Sequence, residues 1–204
     1  MTTIHDAFLS MFRTFLEPFD RQPANRFLAD VDWRMKARQL APNSLPCLAH
    51  LDRAARIAGE TAQPMLRLLA ERRGEFRWGQ TYKPADFGQR FTDNYGWLEL
   101  FGTRGHFDSR KVAAGLLVLG PGVVYPDHHH VAEEIYIPLT GGTEWRMAEQ
   151  PFRPRQAGET IHHPSNVSHA MRTGAEPLVA LYLWRGGPLA ARSTVTGSIA
   201  RDEG

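Results

Sequence analysis

Residues Gly122–Gly141 read GVVYPDHHHVAEEIYIPLTG, and the fold and the chemistry both turn on this stretch. His128, His130, Glu134 and Tyr136 share one parity. In a strand pair with only local irregularity, residues of one parity point to one face, because strand side chains alternate with period two. Two imidazoles and a carboxylate converging on one face outline a metal site, with N and O donors suited to Fe, Mn, Ni, Zn or Cu(II). His129 has the opposite parity and is expected to be structural.

A fourth donor is available downstream. Gly158–His169 reads GETIHHPSNVSH, with Pro164 five residues before His169. Together the two stretches resemble the paired motifs of the cupin superfamily. The first, G-x5-H-x-H-x3-E-x6-G, is met by Gly122, His128, His130, Glu134 and Gly141. The second, G-x5-P-x-G-x2-H-x3-N, is met by Gly158, Pro164 and His169, and departs at Asn166 and Thr173. Asn tolerates the left-handed backbone that a motif glycine adopts, so the first departure is mild. The resemblance implies a mainly β protein, a double-stranded β-helix (cupin jelly roll). It also implies one divalent transition metal ion (Fe, Mn, Zn, Ni or Co) held by His128, His130, Glu134 and His169. His162 and His163 are expected to be structural or to support the ligands.

The rest of the chain sets bounds. Its 204 residues bury a full core as one domain or as one domain with an extension. A net charge of +2 argues against nucleic acid as a partner. No apolar run reaches membrane-spanning length, so no membrane partner is expected. Cys47 is the only cysteine, which excludes an internal disulfide. No signal-peptide pattern is visible, and a cytoplasmic location is expected by default.

Residues 1–74 read as a helical N-terminal extension. Ile4, Phe8, Met11, Phe12, Phe15 and Phe19 recur at helical spacing over residues 3–19, and Thr3 with Asp6 resembles a capping box. Further helices are predicted within 24–40, over Ser44–Ala58 with Pro46 in the first turn, and over Gln63–Arg73. From 75 to 188 the pattern is that of a β-barrel. Short apolar runs at Trp97–Phe101, Val112–Leu119, Glu134–Leu139, Glu144–Met147, Glu159–His163 and Leu178–Trp184 alternate with Gly/Pro turns. Residues 189–204 read as a loosely ordered tail. The Phe-rich first helix is expected to pack on its own domain rather than on a partner subunit, and a homodimer is slightly favoured over a monomer whose helices cover the sheet.

A narrower resemblance rests on YPDHHHVAEEIYIPLTGGTEW, HPSNVSHAM and EPLVALYLWRGG. These segments, strongest from Tyr125 to Trp184, look like the cupin-type dimethylsulfoniopropionate (DMSP) lyases. The helical part is similar in layout only. The resemblance implies β-elimination to dimethyl sulfide and acrylate. In that family one tyrosine follows the metal glutamate by two residues and another precedes the first histidine by three. Tyr136 and Tyr125 stand there.

The chemistry agrees with that implication. Removing a proton next to a carboxylate builds negative charge that a divalent ion on the carboxylate stabilises. The base must be strong, and a tyrosinate qualifies. Its unperturbed pKa of about 10 falls beside a dication. The sulfonium leaves as a neutral thioether and needs no acid. Aromatic faces bind a desolvated cation by about 0.5–2 kcal/mol each. Trp184, Tyr182, Tyr82 and Trp78 are the candidate walls for this small-molecule substrate. The same ligand set also fits a cupin dioxygenase or isomerase acting on a small carboxylate, and a binding protein without turnover is a further alternative.

Overall fold

The run Val112–Leu119 has no charged residue and is buried along its whole length, as expected of a strand with protein on both faces. In the computed structural model, which describes residues 3–197, it is the fourth of twelve strands. The strands are β1 (Trp78–Gly79), β2 (Tyr95–Gly102), β3 (Phe107–Asp108), β4 (Val112–Leu119), β5 (Val124–His129) and β6 (Glu133–Pro138). The set continues with β7 (Thr143–Met147), β8 (Arg153–Arg155), β9 (Ile161–His163), β10 (His169–Thr173), β11 (Leu178–Arg185) and β12 (Thr194–Val195). Seven form one sheet in the order β1-β2-β4-β11-β6-β9, with β3 beside β2. Five form the second, in the order β12-β5-β10-β7-β8. The two inner faces enclose the interior of a double-stranded β-helix, the cupin jelly roll.

Period-two alternation divides the larger sheet. On β11, Val179, Leu181 and Leu183 belong to a core shared with the helices, whereas Ala180 and Tyr182 belong to the barrel interior, and Trp184 packs against it. The outer core takes Phe8, Phe12 and Phe15 from α1 (Ile4–Leu16) together with Leu98, Leu100, Ile135 and Ile137 from the sheet. The aromatic stripe of α1 is therefore spent within its own chain. Thr3 caps the helix as its sequence indicates, its Oγ1 accepting from the Asp6 N–H at 3.1 Å while the Asp6 carboxylate accepts from the Thr3 N–H at 2.9 Å.

Three elements differ from the sequence reading. The helix expected within 24–40 is only α2 (Ala24–Leu28). Beyond it the chain runs along the β2–β3 loop, Arg38 N–H donating to His106 O at 2.7 Å and Asp108 N–H to Lys36 O at 2.8 Å. Backbone pairing with a distant segment overrides local helical preference there. The helix expected over Ser44–Ala58 opens with a 3-10 turn, Pro46–His50, before α3 (Leu51–Ile57). α4 (Gln63–Arg72) follows. An unexpected helix, α5 (Pro84–Asp93), is kinked at Gly88 with φ 82°. Its signals were local: Pro84 opens it, Asp86 accepts from Lys83 N–H at 2.8 Å, and Phe87 and Phe91 lie four apart. Leu189–Gly197 runs back along the barrel, with Leu189 buried and β12 paired to β5. The rest of the expected loose tail lies outside the described residues. Among the described residues no helix is long and apolar enough to cross a membrane.

Candidate active site

Strand register brings the candidate ligands together. His169 on β10 lies opposite His128 on β5, and Glu134 on β6 lies between Trp184 on β11 and His163 on β9. β5 and β6 are in opposite sheets, so His128 and His130 converge on Glu134 across the barrel interior rather than along one surface. All four expected ligands are buried, Glu134 completely. His128, His130 and His169 each place a ring nitrogen within 4.8 Å of the other two. Asn166, in the loop before His169, takes the left-handed conformation with φ 59° that a motif glycine would supply.

Each of these histidines is oriented by the same device. His128 Nδ1–H donates to Pro126 O at 2.8 Å, His130 Nδ1–H to Ala132 O at 2.7 Å, and His169 Nδ1–H to Val167 O at 3.0 Å. Tying Nδ1 to a carbonyl leaves Nε2 to face inward, the arrangement by which metal-binding histidines are held. His169 Nε2 is buried and makes no hydrogen bond among the described residues, although it stands 3.2 Å from Glu134 Oε2. His130 Nε2 contacts the same oxygen at 2.9 Å, and Trp184 Nε1–H donates to Oε1. An orphaned inward nitrogen, two further inward imidazoles and a buried carboxylate fit a divalent ion.

The electrostatics agree with that fit. Burial, then neighbouring His169, holds His128 well below the usual histidine range. Burial, then His163, holds His169 down at about 4. Both are neutral and ready to coordinate near neutrality. His130 differs: burial pulls it down, but the Glu134 carboxylate beside it prevails and raises it. Glu134, despite burial, is held well below the usual carboxylate range by His130.

A cavity of about 250 Å³ opens onto Glu134 and is lined also by Tyr125, Tyr136, Tyr182 and Trp184. Tyr125 stacks on His128 with ring centres 4.1 Å apart, and its hydroxyl donates to Tyr82 Oη at 3.2 Å. Tyr82 thus sits behind Tyr125 rather than on the lining. Trp184 lies 4.1 Å from the His130 ring. Burial, then Glu134, pushes the Tyr136 hydroxyl well above the usual tyrosine range; burial, then Tyr95, does the same to Tyr125.

Trp78 is not in this cavity. It pairs across the sheet with Leu98, and directly paired residues share a face. Leu98 faces the helices, so Trp78 is buried in the outer core, its Nε1–H donating to Arg73 O at 3.0 Å. The same pairing puts Trp97, the next residue back, on the lining with Tyr95 and Glu99. Their alternation in Tyr95–Gly102 carried the signal, which the sequence reading did not use. Glu99 is buried and accepts from Arg104 N–H at 2.6 Å, and the Arg104 guanidinium lies 4.8 Å over Trp97. Leu189 to Ser193, in the expected tail, close one side of the cavity. His163 is the other addition: it groups with Glu134 and His169 within the same 4.8 Å limit.

The fold and this site define a cupin with a buried His/Glu group able to hold a metal ion. A family model described as dimethylsulfoniopropionate lyase matches residues 20–180. The chain belongs to that family, whose enzymes split a carbon–sulfur bond. It is 32% identical to dimethylsulfoniopropionate lyase DddQ of Ruegeria pomeroyi over 91% of this chain and 92% of that protein. A putative dimethylsulfoniopropionate lyase, DddL of Cereibacter sphaeroides, is 29% identical over 71% of this chain and 61% of that one. Among solved structures, a chain from the DMSP lyases RdDddP and RnDddQII superposes with a TM-score of 0.82 at 28% identity, covering 94% of this chain and 99% of that one. DddQ of Ruegeria pomeroyi superposes at 0.80 with 30% identity, covering 93% and 96%.

Proposed function

We propose that this protein cleaves DMSP to dimethyl sulfide and acrylate by β-elimination, with one divalent transition metal ion held by His128, His130, Glu134 and His169. The observation that carries the reading is the orphaned Nε2 of His169 beside Glu134, in a pocket that also presents Tyr136. When bound, the ion supplies Lewis acidity for the substrate carboxylate and lowers the pKa of nearby hydroxyls.

The chain supplies the rest. Tyr136 Oη takes the proton from the carbon next to the carboxylate. The released pair forms the carbon–carbon double bond, and the carbon–sulfur pair leaves with sulfur as neutral dimethyl sulfide. Burial and Glu134 hold the Tyr136 hydroxyl well above the usual tyrosine range, and a nearby cation would offset them. Tyr125 and Tyr182 with Trp184 offer aromatic faces to the sulfonium and exclude water. Tyr125 is the second candidate base, and its hydroxyl is committed to Tyr82.

Phe8 and Phe12 are fully buried within the chain, so a homodimer, the expected assembly, would form through another surface. Light scattering at low concentration tests this: a mass of twice the chain is expected, and a single-chain mass would overturn the dimer. For the reaction, chelated protein should release no dimethyl sulfide from DMSP, and restored ion should bring it back. Release unaffected by chelation would remove the ion from the chemistry.

A further inference from the structure

His163 has no task in the mechanism above, yet it is a polar side chain deep inside the barrel. It is 1% exposed, and neither ring nitrogen has a hydrogen-bond partner among the described residues. A buried polar group left unpaired is destabilising and calls for a reason. Its neighbours show one. It pairs across the sheet with Glu134, its ring stacks on His169 with centres 3.9 Å apart and planes 13° from parallel, and its Nδ1 stands 3.8 Å from Glu134 Oε2.

The stacking argues against His163 and His169 holding one ion together. Parallel rings keep their in-plane nitrogen lone pairs in separate parallel planes, whereas two ligands must converge on a point. A different role follows from what an ion does to Glu134. Oε2 receives His130 Nε2–H at 2.9 Å. An ion on the Nε2 atoms of His130 and His169 needs their lone pairs, so neither nitrogen can donate to Glu134. Trp184 Nε1–H remains on Oε1, and Oε2 loses the His130 donor. Among the described residues, His163 is the neighbour of Oε2 with an uncommitted ring nitrogen. Its position beside Glu134 is fixed by strand pairing rather than by a flexible loop.

We infer that His163 is a positioning residue for the metal carboxylate: its Nδ1–H takes over Oε2 of Glu134 when the imidazoles turn to the ion. This rests on the metal site proposed above.

The test compares wild type with His163→Leu and His163→Asn, measuring zinc affinity by chelator competition and ion-free stability by thermal unfolding. Leu fills the space without a donor. Asn places an amide N–H near the position of Nδ1. His163→Leu should weaken zinc binding by about 10–100-fold, the scale for losing a group that orients a ligand. The same variant should unfold at the same or a higher temperature without zinc, because it removes an unpaired polar group. His163→Asn should recover most of the affinity. Wild-type affinity in His163→Leu would overturn the inference, as would equal weakening in Leu and Asn, which would make the ring a packing element. A wild type that binds no zinc, cobalt or iron would instead bring down the metal site itself, and this inference with it.

Discussion

At the scale of single residues, the proposed roles separate holding from reacting. Tyr136→Phe keeps the ring and its contact with Trp145, centres 5.1 Å apart, and removes only the ionisable oxygen. Metal content should be unchanged, while turnover falls by about 10²-fold or more, the scale for a lost general base. Tyr125→Phe, which loses only the bond to Tyr82, should cost much less. Full turnover in the Tyr136 variant with collapse in the Tyr125 variant would transfer the role. His169→Ala should remove most bound metal and leave the fold intact, because the apolar cores do not depend on the ion; full occupancy by metal analysis would refute the ligand set. The convergence of His128, His130, Glu134, His169 and the two tyrosines was readable because motif spacing fixes which side chains face inward. His163 was expected to be structural or to support the ligands, and the β6–β9 register adds that it stands opposite Glu134.

At the scale of elements, one glycine shapes the pocket wall. Gly115 on β4 faces Glu99 on β2 and Tyr182 on β11, beside the irregularity between Glu99 and Phe101. A Cβ there would lie 1.7 Å from Leu98 O, so β2 would have to move. Gly115→Ala should cost about 1–3 kcal/mol as overpacking does, read from the urea midpoint, and should weaken substrate binding because Trp97 and Glu99 ride on the displaced strand. An unchanged midpoint would show that the sheet yields freely. The strands were legible where both faces are apolar, as in Val112–Leu119. The segment after Leu28 was not, because its partners, His106 and Asp108, lie far along the chain. Trp78 was misplaced for a related reason: a two-residue strand has no pattern of its own, and its face is set by Leu98.

At the scale of the whole molecule, the helices and the barrel are joined around His106. It is 1% exposed, its Nε2 accepts from Arg77 N–H at 3.1 Å, and His5 of α1 stacks on it at 4.2 Å. Burial, then His5 and Arg77, pushes it down to about 4. The unfolded chain therefore binds this proton more readily than the native one. Stability from this residue is complete above pH ~6.5 and is lost as pH falls through about 4, by roughly 2–3 kcal/mol. His106→Gln keeps an acceptor without the charge, so its urea midpoint should fall less between pH 7 and 4 than that of wild type. Parallel curves would show that His106 does not carry the effect. The overall layout, helices before a barrel, followed from composition and turn spacing, whereas the return of Leu189–Ser193 to the cavity is a tertiary event with no local signature. The central claim, an ion-assisted elimination at the Glu134 site, is tested most directly by measuring dimethyl sulfide in the headspace and acrylate in solution after metal-loaded protein meets DMSP under nitrogen. Equal amounts of the two products are expected, with no need for oxygen; dimethyl sulfide without acrylate, or product only in air, would contradict an ion-assisted elimination.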